Sequence, residues 1–198
     1  MPQGHANYEQ MPPTRSLVRS ADNGFDPQYD NLAAGTTLTF ANPYLGIQYS
    51  GYQVRDFTGN GVLTIPSGPN ALIAINPYIP TNRATLTVNR DEIRILDPES
   101  AFLACVTVDK ATKKIIAPVE CYVQVVGTGP NYYIVEDVWH FTPTSKKTSS
   151  LQLFNLGDNF NSINTIELRL LNTTSKLKKS QENAIVFDEF IYGGRLSN

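Results

Sequence analysis

Alternating apolar and polar residues dominate the chain from about residue 38 onward. In the stretch 165–171, Ile166 and Leu168 alternate with Glu167 and Arg169, a period of two that is typical of a strand with one buried face. No stretch has a helical period that would predict an amphipathic helix. The pattern predicts strands over residues 38–40, 47–54, 62–65, 71–76, 85–88, 92–96, 102–108, 120–126, 132–141, 151–154, 165–171 and 185–192.

Turn signals rich in glycine, proline and asparagine separate these stretches, as at Thr58-Gly59-Asn60-Gly61. Many short strands at regular spacing predict an all-β fold, a single-domain antiparallel β-sandwich of jelly-roll type. Residues 1–24 are polar and contain three prolines. We therefore expect a flexible N-terminal arm over residues 1–24 and the sandwich domain over residues 25–198.

Composition removes several classes of protein. The 198 residues are 41% hydrophobic and 17% charged, with a net charge of −2, which argues against a disordered chain and against a nucleic-acid partner. His5 and His140 are the two histidines, so a multi-histidine metal centre is excluded. No apolar run approaches the length of a membrane span. The oligomeric state is left open.

The two cysteines bear on the compartment. Cys105 and Cys121 lie in strand-like stretches joined by a polar, hairpin-like segment, and two adjacent antiparallel strands would bring them within bridging reach. A disulfide is expected, with two free buried thiols as the alternative. Residues 1–20 contain no apolar signal core, so either the protein is intracellular or a signal has been removed. The cysteines favour secretion, and Asn172-Thr173-Thr174 in a polar loop is an N-glycosylation sequon.

One cluster of candidate ligand-binding residues is aromatic and lies near the N-terminal strands. It comprises Tyr44, Tyr49 and Tyr52 with Arg55, because aromatic rings and a guanidinium stack on flat ligands and donate hydrogen bonds. Alternation along 47–54 places Tyr49 on the face opposite Tyr52 and on the same face as Arg55. The alternative is that these rings are sandwich core and Arg55 is a surface residue.

A second cluster, on a long strand, comprises Trp139 and His140 together with Tyr132 and Tyr133. Alternation places Trp139 and His140 on opposite faces, with Trp139 as a further ligand-binding candidate. His140 is the natural proton-transfer residue if the protein is an enzyme. A lone strand histidine is more often structural, and no Gly-x-Ser-x-Gly element accompanies it.

A structural calcium ion is the cofactor that the sequence suggests, and no other is required. Asp26 and Asp30 near the start and Asp188 near the end are suitable oxygen donors. Asp188 alternates in phase with Val186 and Phe190, so it should point inward, where an unpaired carboxylate is costly. The alternative is that a backbone or side-chain partner satisfies Asp188.

A series of short motifs runs through residues 25–192. They are Phe25-Asp26-Pro27-Gln28-Tyr29-Asp30-Asn31-Leu32, Pro43-Tyr44-Leu45-Gly46-Ile47-Gln48-Tyr49, Phe102 to Cys105, Cys121 to Gly127, Phe141-Thr142-Pro143 and Val186-Phe187-Asp188-Glu189-Phe190. Their order resembles that of secreted fungal β-sandwich proteins with Phe-Asp-Asp-Leu and Tyr-x-Gly-Leu-x-Trp elements. Tyr49 stands where that family commonly has tryptophan. The resemblance implies a secreted sandwich, and some biosynthetic members of this kind resemble hetero-Diels–Alderases.

Three functions remain open from the sequence. The first is a secreted protein that holds a carbohydrate or a hydrophobic secondary metabolite on an aromatic-lined face or pocket. The second is a cofactor-free pericyclase of a fungal polyketide–terpenoid pathway, with Arg55 or His140 as hydrogen-bond donor. The third is a structural cell-wall or host-interaction protein. Whether the chain is an enzyme stays open, and a hydrolase is disfavoured.

Overall fold

The computed structural model describes residues 47–66, 68–78, 83–90, 93–174 and 176–196. The predicted arm, the predicted strand at 38–40, and Asp26, Asp30 and Tyr44 lie outside these ranges. The strands of the described residues are β1 (Ile47–Ser50), β2 (Gln53–Asp56), β3 (Leu63–Thr64), β4 (Asn70–Ile75), β5 (Ala84–Val88), β6 (Ile93–Asp109), β7 (Ile115–Pro118), β8 (Cys121–Thr128), β9 (Ile134–Phe141), β10 (Ser149–Ser150), β11 (Gln152–Asn155), β12 (Thr165–Thr173) and β13 (Gln181–Leu196).

Two antiparallel sheets pack face to face and form the predicted all-β sandwich. The five-stranded sheet has the order β1-β5-β12-β8-β9. The six-stranded sheet has the order β11-β6-β13-β4-β2, with β7 also paired to β6, and β3 and β10 form a short parallel pair. The jelly-roll connectivity remains a prediction. Within the ranges that the structure describes, no helix is long and apolar enough to cross a membrane.

The core lies between the two sheets and is built from alternate residues of each. Leu86, Val125 and Leu168 of the five-stranded sheet meet Leu103 and Phe187 of the six-stranded sheet around an apolar cavity of about 10 Å³. A volume of that size holds at most one water molecule. The interior of the sandwich is therefore filled by side chains at this point, with no room for an organic ligand.

The central strands of the six-stranded sheet are buried on both faces. Residues 71–74 of β4 and 184–188 of β13 are all buried, although successive side chains point to opposite faces. Their sequences, Ala-Leu-Ile-Ala at 71–74 and Ala-Ile-Val-Phe at 184–187, accordingly form continuous apolar runs, the second of which ends at the buried Asp188. By contrast, β8 and β12 alternate, and the outer face of the five-stranded sheet carries both polar and partly exposed apolar side chains.

The predicted strand 47–54 is two strands that belong to different sheets. Gly51 lies between β1 and β2 with φ +79°, and a Cβ there would lie 2.3 Å from the carbonyl oxygen of Arg83. A positive φ and a close backbone approach both favour glycine. This break resets the alternation, so Tyr49 and Tyr52 both point into the core instead of to opposite faces. Their ring centroids lie 6.3 Å apart, edge to face.

Two other boundaries differ from the prediction. The stretches 92–96 and 102–108 belong to one strand, β6, which continues through Pro98 where its pairing with β13 is irregular. The hairpin-like segment after Cys105 contains an additional strand, β7, that pairs back onto β6. The chain then crosses to the other sheet at Val119 and begins β8 at Cys121.

The disulfide between Cys105 and Cys121 is present, as predicted, but its place in the fold differs. Cys105 lies on β6 and Cys121 on β8, so the bond joins the two sheets rather than two neighbouring strands. Both residues are fully buried. The bond therefore fastens the two layers of the sandwich to each other.

Candidate functional site

Three of the aromatic residues selected from the sequence, Tyr49, Tyr52 and Trp139, lie in the core. Tyr49 and Tyr52 are fully buried, and Trp139 packs against Phe141 and Phe154 with ring centroids 5.6 and 6.1 Å away. A ring packed among core side chains has no free face on which a ligand can stack. These three residues therefore stabilise the sandwich.

Tyr52 carries a polar group that the core does not satisfy. Its hydroxyl is buried and has no hydrogen-bond partner among the described residues. Burial raises the pKa of Tyr52 well above 10, and the nearby Tyr49 and Glu167 raise it further. Tyr52 therefore remains a neutral phenol in the folded protein over the physiological pH range.

Arg55 lies on the outer face of the six-stranded sheet, where it connects β2 to the β6–β7 turn. It is half-buried, and its Nη1 donates a hydrogen bond to the carbonyl oxygen of Lys113 in the β6–β7 turn. Lys113 in turn pairs with Glu182, with 2.5 Å between Nζ and Oε1. Burial lowers the pKa of Arg55. His140 lies on the opposite outer face of the sandwich, so the structure does not bring Arg55 and His140 into one site.

Asp188 is fully buried, as alternation predicted, but it points away from the core between the sheets. It pairs in register with Phe102, whereas its neighbour Phe187 lines the cavity between the sheets. Glu189 has φ +45° and forms a bulge, so Phe190 returns to the inner face and no longer shares the phase of Asp188. Among residues in the described ranges, no three His, Cys, Asp or Glu side chains form a metal-binding group. The calcium ion stays a prediction.

The outer face of the five-stranded sheet presents a stacked pair of rings. Tyr122 of β8 and His140 of β9 are directly opposite each other in the ladder, with ring centroids 4.3 Å apart and planes within 2°. Both rings are partly exposed, and Tyr122 is 40% exposed. The centroid separation is close to the spacing of neighbouring strands. The rings therefore stand up from the sheet, and the face of Tyr122 that does not contact His140 is turned toward β12, where Asn172 is its partner in the ladder.

Hydrogen bonds fix the histidine of this pair. His140 Nε2 lies 2.9 Å from Glu120 Oε1 and 3.4 Å from Thr142 Oγ1. Glu120 immediately precedes β8 and Thr142 immediately follows β9, so both contacts come from the open end of the hairpin. The orientation of the imidazole, and with it the stack on Tyr122, is set by these contacts.

Polar side chains continue the outer face beside the stacked pair. Gln124 Nε2 donates to Glu136 Oε2 at 2.8 Å across β8 and β9. On β12, Arg169 donates to Glu167 at 2.8 Å, and this hydrogen bond raises the pKa of Arg169. Arg83 lies 3.6 Å from the other oxygen of Glu167. Arg169 Nε and Glu167 Oε1 are buried without a hydrogen-bond partner in the described part of the chain.

Two carboxylates also lie on this outer face. Glu136 and Glu167 share the outer face in one row, separated by Val126, but each already engages a neighbouring donor. Glu167 lies beside two arginines, Arg83 and Arg169, and Glu136 accepts a hydrogen bond from Gln124.

Asn172 of the sequon lies at the end of β12 and not in a loop. It is exposed and pairs in register with Tyr122. The row across the sheet therefore reads Asn172, Tyr122, His140. Thr174, the third residue of the sequon, donates its backbone N–H to the carbonyl oxygen of Glu120 at 3.1 Å.

Sequence reasoning selected His140 but missed Tyr122 and Glu120. Alternation gives Tyr122 an outward direction once Cys121 is taken as inward, so a signal for its exposure was present. Its position opposite His140 depends on the register of β8 and β9, which the length of their connecting turn decides.

Comparisons with known proteins leave the family open. No protein-family model matches the chain, and no curated protein matches it. Among solved structures, an arabinose-bound α-L-arabinofuranosidase is similar over 92% of this chain, with 11% identity and a TM-score of 0.29. The chain spans 25% of the length of that enzyme. A likeness at this level carries no argument about fold or function.

Proposed function

We propose that this protein is a secreted carbohydrate-binding β-sandwich protein whose binding surface is the outer face of the five-stranded sheet. The observation that carries the proposal is the half-exposed, parallel stack of Tyr122 and His140. Sugar rings present a face of C–H groups, which packs against the electron-rich face of an aromatic ring. The face of the partly exposed Tyr122 ring that is turned away from His140 provides such a surface.

The surrounding polar groups supply the second requirement. Sugar hydroxyls both donate and accept hydrogen bonds, so a glycan surface needs donors and acceptors close to the stacking ring. Gln124 follows Tyr122 on the outer face of β8 and bonds to Glu136 of β9, and Arg169 lies opposite Gln124 in the ladder. The Arg169 side chain is 23% exposed, so its guanidinium can supply N–H donors at this surface.

Two further observations support secretion. The Cys105–Cys121 disulfide is of a kind that persists in oxidising compartments and is rare in the cytosol. The order of motifs that resembles secreted fungal β-sandwich proteins points the same way.

A pericyclase would require a different feature of the molecule. It needs an enclosed apolar cavity that holds both reacting partners, with one or two hydrogen-bond donors. The cavity between the sheets has a volume of about 10 Å³ and is lined by apolar side chains. The geometry of the described residues therefore favours the outer face over the interior as the ligand surface.

The test measures binding to glycans by the wild type and by matched variants. Wild-type protein is incubated with a panel of insoluble and soluble polysaccharides, and retained protein is quantified before calorimetry on the glycan it selects. Tyr122→Ala should weaken binding at least tenfold, about 1.4 kcal/mol, because it removes the stacking face. Tyr122→Phe keeps the ring and should bind like the wild type. Leu153→Ala, an exposed apolar residue on the other sheet, is the matched control.

Two outcomes would overturn the proposal. One is the absence of binding to every glycan of the panel. The other is retention of hydrophobic metabolites in native mass spectrometry while glycans are ignored, which would favour the pericyclase. A glycan affinity that Tyr122→Ala leaves unchanged would place the site elsewhere on the molecule.

A further inference from the structure

The turn between β8 and β9 exposes an aromatic ring on a disfavoured backbone. Asn131 and Tyr132 both have left-handed φ values, 57° and 60°, and Tyr132 is 91% exposed. Asparagine tolerates this conformation, whereas it is uncommon for a bulky residue such as tyrosine. Because the Tyr132 ring is exposed, its burial does not offset the cost of this backbone conformation.

The rest of the turn is held firmly. The N–H of Gly129 donates to the carbonyl oxygen of Tyr133 at 2.7 Å, and the Tyr133 hydroxyl lies 3.3 Å from the carbonyl oxygen of Asn159. A Cβ on Gly129 would lie 2.9 Å from the carbonyl oxygen of Ser162, so the turn packs closely on its neighbours. Tyr132 is thus presented from an ordered turn rather than from a loose loop.

An exposed strip connects this turn to the stacked pair. Along the outer face of β9, Ile134 is 58% exposed and Val138 is 50% exposed, with Glu136 between them and His140 at the far end. The six residue steps from Ile134 to His140 span about 20 Å. Tyr132 and the Tyr122–His140 stack therefore mark the two ends of one surface that alternates between apolar and polar groups.

Strand addition by a peptide fits this strip poorly. Among the described strands, β9 lies at the edge of its sheet, and unpaired N–H groups of an edge are what an added strand engages. The N–H of Val138, in the second half of β9, is already bonded to the side-chain Oδ1 of Asp137 at 2.7 Å. The carboxylate beside that N–H also repels an incoming carbonyl oxygen. A ligand bound along this strip would therefore contact the face of β9 rather than its edge.

We propose, on the basis of the proposed glycan-binding function, that the ligand is an extended linear polysaccharide that lies along β9. One sugar stacks on the Tyr122–His140 pair and a second, several rings away, stacks on Tyr132. Glu136 and Gln124 bond the hydroxyls between them. A single sugar or a disaccharide is too short to reach both aromatic contacts. The surface therefore selects long chains over their short fragments.

The experiment measures affinity against chain length. A ladder of oligosaccharides, cut from whichever polysaccharide the wild type retains, is titrated into the wild type and into Tyr132→Ala, Tyr132→Trp and Leu153→Ala. Wild-type affinity should rise with chain length until both aromatic contacts are filled. Tyr132→Ala should lose about tenfold for the long chains and nothing for the disaccharide. Tyr132→Trp should retain the long-chain affinity, and Leu153→Ala should match the wild type.

Folding is followed on the same samples by thermal unfolding. Because Tyr132 is exposed, Tyr132→Ala should keep the wild-type Tm. If Tyr132→Ala binds long chains as tightly as the wild type, or if affinity does not depend on length, the inference is wrong and the glycan-binding proposal stands. If no glycan binds at all, both fail together.

Discussion

Reduction of the disulfide between the two sheets should destabilise the fold by a predictable amount. Cys105 and Cys121 are 16 residues apart in sequence, and closing a loop of that length restricts the unfolded chain by an entropy equivalent to about 3 kcal/mol. With a urea m-value on the order of 2 kcal/mol/M, the midpoint of unfolding should fall by about 1.5 M when the bond is broken. The native contacts otherwise remain, since both side chains stay buried.

The assay is urea unfolding, followed by the fluorescence of Trp139, with and without reductant. Titration of free thiols before and after each measurement establishes the oxidation state. The double variant Cys105→Ala/Cys121→Ala is the control, because its midpoint should not respond to reductant. Equal midpoints for fully oxidised and fully reduced wild type would refute the reasoning, since the entropy of loop closure would then contribute nothing measurable.

The remaining predictions concern Tyr52 and Asn172. Tyr52→Phe should leave stability in neutral urea unchanged or raise it by up to about 1 kcal/mol, because it deletes a buried hydroxyl with no partner. The folded-state pKa of Tyr52 lies well above 10, so above about pH 10 the unfolded chain loses this proton more readily than the folded protein does, and wild-type stability should fall. The stability of Tyr52→Phe should fall less over the same pH range. Parallel curves of stability against pH for the two proteins would contradict this prediction. When the protein is produced in a eukaryotic secretory host, Asn172 should carry a glycan beside Tyr122, which mass spectrometry would detect. The Thr174→Ala variant should lack this glycan and should therefore bind polysaccharide more tightly. An unmodified Asn172 would contradict this prediction.

Much of the fold follows from local pattern. The alternation of Ile166, Glu167, Leu168 and Arg169 predicted one inward and one outward face for β12, and the structure has both. Alternation is local, so it needs no knowledge of which strands are neighbours. It failed at Gly51, where the chain leaves one sheet for the other, because a change of sheet is a tertiary event.

The candidate site was harder to predict. Tyr49 and Tyr52 carry the same side chain as Tyr122, and composition cannot separate a core ring from a surface ring. What distinguishes Tyr122 is its cross-strand neighbour, His140, and its exposure on an outer face. Cross-strand neighbours are fixed by pairing between distant stretches of chain, and one sequence does not specify that pairing.

The double burial of the central strands has a consequence for folding fidelity. Where one face of a strand is solvent-exposed, a shift in register exposes apolar side chains to water and is therefore strongly disfavoured. Where both faces are mostly apolar, a shift by one residue exchanges one apolar face for the other at little cost in free energy. Asn183, a fully buried amide at the start of β13, bonds to Tyr78 and Thr173 at 2.9 Å each. A shift of β13 by one residue would separate this amide from both hydrogen-bond partners. A buried amide without partners is costly in free energy. We therefore expect Asn183 to fix the register of β13. Its replacement should increase the fraction of misaligned, aggregation-prone chains more than it lowers the stability of correctly folded protein.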